Sequence, residues 1–249
     1  VDVFDLTTGA QIRTIPTPGN ASTYGDIQAG LAADDLTWVT IGRFRIKAFD
    51  TSTGQQSASV ALGPGREARQ IVLNAAGTRA HVLVQDDSTA VSQLAIDVFD
   101  LPSLTPISST LTTITSPEPS GGRPFSIDGA EVRAVVAAAD GCYLVDLTSG
   151  SATLLSSNGA YDAELSVDGL SAAVTSAHEL QLFDGVSGQL ETSRVLLPGA
   201  YSWSLTRHPQ RPLFLLAGST DRIEVMERTA PGTYTFRDVN SGVGAEVDG

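Results

Sequence analysis

Six short segments of this chain repeat one phrase: an apolar residue, any residue, two apolar residues, then an acid. They are Val1–Asp5, Ile46–Asp50, Ile96–Asp100, Cys142–Asp146, Leu180–Asp184 and Ile223–Glu227. The closing acids lie 45, 50, 46, 38 and 43 residues apart. A period of roughly 40–50 residues made only of strand-like segments is the spacing of a propeller blade.

A second marker repeats with the same period. It is an apolar stretch, a polar turn and a second apolar stretch, at 30–41, 71–84, 125–136, 165–174 and 205–216. Asp-Gly in two of these turns suits a hairpin, because glycine and aspartate tolerate positive φ. This marker is the hairpin between the first and second strands of a unit, and the six-copy phrase is the third strand. A turn follows each phrase, at Thr8-Gly9, Thr53-Gly54, Ser149-Gly150, Ser187-Gly188 and Pro231-Gly232, with Leu101–Pro106 in its place in the third copy. It leads to a Ser/Thr-rich fourth strand such as Gln11–Ile15 or Tyr234–Val239. The expected fold is all-β, a single β-propeller domain of four-stranded antiparallel blades over residues 1–249. Residues 1–19 supply half a blade, and full blades span about 20–62, 63–115, 116–157, 158–198 and 199–240. Residues 241–249 read as the start of a further strand. Six blades is the minimum count, seven if another unit lies outside this chain, and one blade is incomplete here, so the chain reads as part of a longer protein.

Composition narrows the function. The formal charge of −13 opposes nucleic-acid binding, which needs clustered cations. No apolar run reaches the ~20 residues of a membrane helix. One cysteine, Cys142, excludes an internal disulfide, and it has no basic neighbour to activate it. Arginine outnumbers lysine 14 to 1, which reads as a coding bias.

The units resemble the YVTN and lactonase-like bacterial β-propeller repeats. The resemblance rests on Ser126-Ile-Asp-Gly129 and Ser166-Val-Asp-Gly169, on Val3–Gly9 and Ala48–Gly54, and on His208–Ala217. It covers nearly the whole chain. Such repeats occur in lactonases, quinoprotein-like dehydrogenase subunits, surface-layer proteins and scaffolds, so the resemblance implies a fold more than an activity.

Candidate chemistry is sparse. His81 lies in an apolar second strand, His208 in a turn before Pro209, and His178 with Glu179 on a loop between second and third strands. Asp86-Asp87 and Asp140 lie on loops of the same kind and read as solvated turn acids. There is no metal-ligand spacing, no phosphate loop and no Gly-x-Ser-x-Gly, so neither metal nor cofactor is expected. Asn20-Ala-Ser22 matches a glycosylation acceptor. In a propeller the residues opening each first strand converge on the central channel. Here they are Asp26, Glu67, Arg69, Arg123, Asp162, Glu164, Tyr201 and Trp203. Together with His178, and leaving Asp26 aside, they form the expected ligand or partner surface. The 85–93 loop and the 105–122 tail of the odd third copy are further candidates for partner contact.

The leading expectation is a non-enzymatic binding or scaffold propeller, part of a larger extracytoplasmic or cell-surface protein, that meets a protein or glycan. The alternatives are a lactonase-like hydrolase or quinoprotein-type dehydrogenase subunit acting at the channel through Arg69, Arg123, Glu164 and His178, and an architectural module of a larger assembly.

Overall fold

The computed structural model describes residues 2–4, 10–14, 29–31, 36–115, 125–157, 160, 162–176, 179–196, 204–208, 210–217 and 222–240. Among these, every regular element is a strand, and no helix is long and apolar enough to cross a membrane. The chain divides into two compact units, Val1–Ser109 and Thr110–Gly249.

In the first unit, β1 (Asp2–Phe4) and β2 (Gln11–Thr14) form a two-stranded antiparallel sheet. A four-stranded sheet follows from β3 (Ala29–Leu31), β4 (Thr37–Gly42), β5 (Arg45–Asp50) and β6 (Gln56–Ala61). The next contains β7 (Arg66–Leu73), β8 (Arg79–Asp86), β9 (Gln93–Asp100) and β10 (Thr105–Leu111). The second unit holds three more sheets. These are β11 (Phe125–Ile127) to β14 (Ala152–Ser156) through β12 (Arg133–Ala138) and β13 (Gly141–Asp146); β15 (Asp162–Leu165) to β18 (Leu190–Val195) through β16 (Ser171–Thr175) and β17 (Glu179–Asp184); and β19 (Ser204–Arg207) to β22 (Thr233–Asn240) through β20 (Leu213–Ala217) and β21 (Arg222–Ala230). Each is a meander in which consecutive strands pair, and each falls within one of the five repeat ranges.

The repeated phrase now has a physical reading. An antiparallel strand covered on one face alternates apolar and polar residues; covered on both, it must be apolar at adjacent positions. The third strand is covered on both faces. Its first and third phrase positions face the next sheet within the unit: Ile46 and Ala48 pack with Ile71, Ala80 and Val82, and Leu180 and Leu182 pack with Leu205, Phe214 and Leu216. Its fourth position faces the preceding sheet: Phe183 joins Cys142, Leu144 and Val135, and Met226 joins Leu180 and Leu182. Burial then falls outward across each sheet. β15 and β16 are buried throughout, whereas most of β18 is exposed. That gradient explains the Ser/Thr-rich fourth strands, which have one sheet neighbour and much solvent. In the last sheet, Leu215, Ile223 and Val225 hold the places of Ala173, Leu180 and Leu182, but are only half-buried.

The acid that closes the phrase caps the turn behind it. Asp146 Oδ1 accepts from the Thr148 and Ser149 amides at 2.9 and 2.8 Å, and Asp184 Oδ1 from those of Val186 and Ser187 at 3.1 and 2.7 Å. Asp50 accepts from Thr53 N at 2.8 Å. Two positions before the fourth strand's first amide partner, a hydroxyl repeats the trick: Thr53, Ser149 and Ser187 accept from the amides of Gln55, Ser151 and Gln189. The fifth residue bonds back to the acid's carbonyl with φ between 70° and 74°, as Gly54, Gly150 and Gly188. In the third copy Leu104 takes this place at φ 56° and donates to Asp100 O at 2.8 Å. A left-handed leucine costs about 1–2 kcal/mol. Its side chain is 3% exposed in the core, and that burial offsets the strain.

Candidate functional site

The sequence-predicted residues separate into two settings. Arg123, His178, Tyr201 and Trp203 lie outside the described residues, as do Asp26 and Asn20–Ser22. Glu67 and Arg69 sit together in the first unit, and Asp162 and Glu164 in the second.

In the second unit the two acids are buried and bound to neighbouring sheets. Asp162, 4% exposed, opens β15, and its Oδ2 accepts from the Leu205 amide on β19 at 2.9 Å while Oδ1 accepts from Ala163 N at 3.0 Å. Glu164 Oε2 accepts from Ser126 Oγ on β11 at 2.7 Å, and Ser126 Oγ also accepts from Leu165 N at 3.2 Å. Arg207 on β19 completes the network, donating to the carbonyls of Leu165, at 3.2 Å, and Ile127. Burial pulls the Arg207 pKa below its ordinary value, against the opposing attraction of Glu164 and Asp128. These groups join β11, β15 and β19 in place of a buried unpaired amide or charge, which would be costly.

In the first unit, polar groups gather where the β4–β5 turn, the start of β7 and the end of β8 meet. A bulge between Ala68 and Gln70 releases Arg69 from the ladder and re-aims it. Glu67 then bridges two arginines, Arg43 at 2.5 Å and Arg69 at 3.5 Å. Arg69 also donates to Gln85, whose amide donates to Asp87 at 2.9 Å, and Ser92 donates to Asp87 across the loop. The bonds from Ser92 and then Gln85 hold the Asp87 carboxyl below its usual range. Asp86 is held low as well: burial works to raise it, but bonds from Ser88 and the Arg66 charge outweigh that. On the other side of Arg66, a fork of 2.9 and 3.0 Å grips Asp97, which also accepts from Ser109 at 2.6 Å. Asp87 N donates to Gly65 O at 2.7 Å; Gly65 has φ 72°, and a Cβ there would stand 3.0 Å from Ser88 N.

The result is a fixed base under apolar tips. Val91, at the tip of the 85–93 loop, is 55% exposed, and Phe44, in the β4–β5 turn, is 53% exposed. The Arg43 guanidinium lies 5.0 Å from the Phe44 ring centre, close enough for cation–π attraction.

Other chemistry is limited. Among the described residues, no group of three or more His, Cys, Asp and Glu is placed to hold a metal ion. Cys142 is fully buried in β13, and burial pushes its thiol up to about 12, so it carries no thiolate at neutral pH. His81 is buried in β8 at 2% exposure. Tyr143 is raised to about 12 by burial and by its bond to Asp140.

Sequence reasoning missed Arg207, Ser126 and Arg43. Ser126 was visible only as part of a Ser-x-Asp-Gly turn; that its hydroxyl reaches a carboxylate 38 residues away has no local signal. The paired arginines around Glu67 follow from a turn and a bulge that alternation alone does not reveal.

No family model matches this chain, and no curated protein matches it. Solved structures do resemble it. Hydrazine synthase of Kuenenia stuttgartiensis superposes with a TM-score of 0.60 at 14% identity, over 91% of this chain and 70% of that one. A complex of KlAtg21 with the coiled-coil of AgAtg16 gives 0.66 at 11% identity, over 96% of this chain and 76% of that one. At such identities the likeness is one of fold, and it supports a propeller-like all-β arrangement of four-stranded sheets.

Proposed function

We propose that this chain is a non-catalytic binding module, a β-propeller of YVTN-like blades within a larger extracytoplasmic protein, and that it meets a protein partner at the Phe44 and Val91 tips. The carrying observation is the 85–93 loop. Its acids are tied down by Ser88, Ser92 and Gln85, while Val91 at its tip and Phe44 in the β4–β5 turn are exposed. A loop ordered before binding loses little entropy on binding, and an aromatic beside an arginine is the composition of interface anchors. The likeness to a structure solved with a coiled-coil is in keeping with a protein partner.

The test is site-specific photo-crosslinking of the intact protein in its own cells. Probes at Phe44 and Val91 are expected to give one discrete protein adduct. Probes at Ile107 and Leu154, 48% and 50% exposed, are expected to give none. Equal labelling at all four positions, or none at Phe44 and Val91, would sink the proposal.

A further inference from the structure

Charge is spread unevenly along this acidic chain. Three of its fifteen lysine and arginine residues, the single lysine among them, fall within residues 43–47, which hold no acid. They form the β4–β5 turn and the start of β5, around the exposed Phe44. The turn is fixed by the chain that follows β6: Arg43 O accepts from Ala68 N at 2.8 Å, and Phe44 O from Leu62 N at 3.1 Å.

The three cations have unlike surroundings. Arg43 is matched by Glu67. Arg45, exposed, and Lys47, half-buried, are two residues apart on β5 and so share one face of the sheet. In the ladder Lys47 stands between Thr40 and Ser59, and Arg45 between Gly42 and Ala61, with no acid among these neighbours. Among the described residues no acid forms an ion pair with either; Arg45 Nη1 donates to Ser59 Oγ at 3.5 Å. The second position of the repeated phrase shows what is unusual here. Asp97 and Glu224 hold it in two other sheets, and each is matched by an arginine, Arg66 at 2.9 Å and Arg194 at 2.8 Å. Lys47 is the one cation at this position in the six copies. Two like charges on one face repel, and a half-buried cation without a counter-charge is unfavourable, so an anion supplied from outside would stabilise the pair.

We infer that the protein partner presents an acidic segment to this hairpin. An apolar side chain of that segment packs on Phe44, and its flanking Asp or Glu carboxylates pair with Arg45 and Lys47. The inference rests on the reading that a protein meets Phe44 and Val91, and it adds the chemistry of that protein. A narrow segment fits better than a flat anionic surface such as a bilayer. A surface that reached Phe44 would also meet Asp86 and Asp87, which follow β8 as Phe44 follows β4, and it would be repelled by a chain of net charge −13.

The experiment keeps the photo-crosslinking probe at Val91 of the intact protein in its own cells and varies the hairpin. Arg45→Glu/Lys47→Glu reverses both charges, and Arg45→Lys/Lys47→Arg keeps them. The wild type and the charge-keeping variant are expected to give the same protein adduct, and mass spectrometry to place Asp or Glu beside the crosslinked residue of the partner. Charge reversal is expected to lower the yield about tenfold or more, the scale of setting like charges against each other at an interface. An undiminished adduct in the reversed variant, equal loss in both variants, or a partner peptide without acids overturns the acidic segment while the protein partner stands. No adduct in the wild type, or a lipid adduct in its place, sinks the protein partner and this inference with it. If the double reversal fails to fold, Arg45→Glu, at an exposed position, carries the same comparison.

Discussion

Glu191 is the residue whose removal most sharply tests how the last two sheets are held together. It lies on β18, 9% exposed at its side chain, and three groups from the β21–β22 hairpin converge on it. Arg228 pairs with Oε1, Gly232 N donates to the same oxygen at 2.8 Å, and Tyr234 OH donates to Oε2 at 2.5 Å. Burial and the Glu191 bond push the Tyr234 phenol far above its usual range. Arg228, with 8% of its side chain exposed, keeps two other acceptors when Glu191 is lost: Asp184 Oδ2 at 3.0 Å and Leu170 O at 2.6 Å. Each hydrogen bond to a charged group contributes about 1.5–3 kcal/mol, and the three are not additive because they share one carboxylate. Breaking a buried pair by deleting one partner costs about 3–5 kcal/mol. The acceptors that remain for Arg228 place Glu191→Ala at the lower end, about 3–4 kcal/mol. For a chain of this size that lowers Tm by roughly 6–16 °C. Glu191→Gln, which keeps the shape and an acceptor oxygen, is expected to cost about half as much, and Tyr234→Phe about 1–2 kcal/mol. The assay is calorimetry with urea unfolding on all three variants and the Glu191→Gln/Tyr234→Phe double variant. A loss under about 1 kcal/mol for Glu191→Ala, or strict additivity in the double variant, would refute the reading of Glu191 as the hub.

Other expectations follow from the turns and the inner strands. Asp184 is held at about 2 by the Ser187 amide first, with the Ser187 hydroxyl, Val186 N and Arg228 adding and burial opposing. Its folded value lies below the usual 3.8, so its contribution is complete above about pH 4 and is lost as pH falls toward 2; allowing for solvent screening, Asp184→Asn should remove about 1–2 kcal/mol of the difference in stability between pH 6 and pH 2, read by acid titration. Gly150→Ala and Gly232→Ala separate strain from collision: both have φ near 70°, but a Cβ on Gly150 would stand 2.1 Å from Leu111 O, while one on Gly232 meets nothing within 4 Å. Chemical denaturation should show about 1–2 kcal/mol for Gly232→Ala and clearly more for Gly150→Ala; equal losses would contradict the packing. Asp162→Ala leaves the Leu205 amide without its carboxylate partner inside the protein and should cost about 1–3 kcal/mol by urea unfolding, whatever ligand is present.

Much of this architecture is legible in the chain itself. The phrase Leu180-Gln-Leu-Phe-Asp184 already states that the strand is covered on both faces, since Leu182 and Phe183 point to opposite sides and both are buried. The closing acid and the glycine four residues on announce the turn, because an aspartate that caps amides and a residue at positive φ are needed within five positions of each other. These signals are readable because strand alternation and turn chemistry are local. The pairing of Glu67 with Arg43 and Arg69, of Glu164 with Ser126, and of Asp162 with the Leu205 amide is of another kind. From sequence, Glu67, Asp162 and Glu164 were alike: acids opening first strands and candidates for one channel surface. Tertiary structure divided them. Asp162 and Glu164 meet partners 43 and 38 residues away and hold adjoining sheets together, while Glu67 organises an exposed loop end. An acid's partners across sheets depend on how the sheets stack and on a single bulge at Arg69, and neither leaves a periodic trace in the chain.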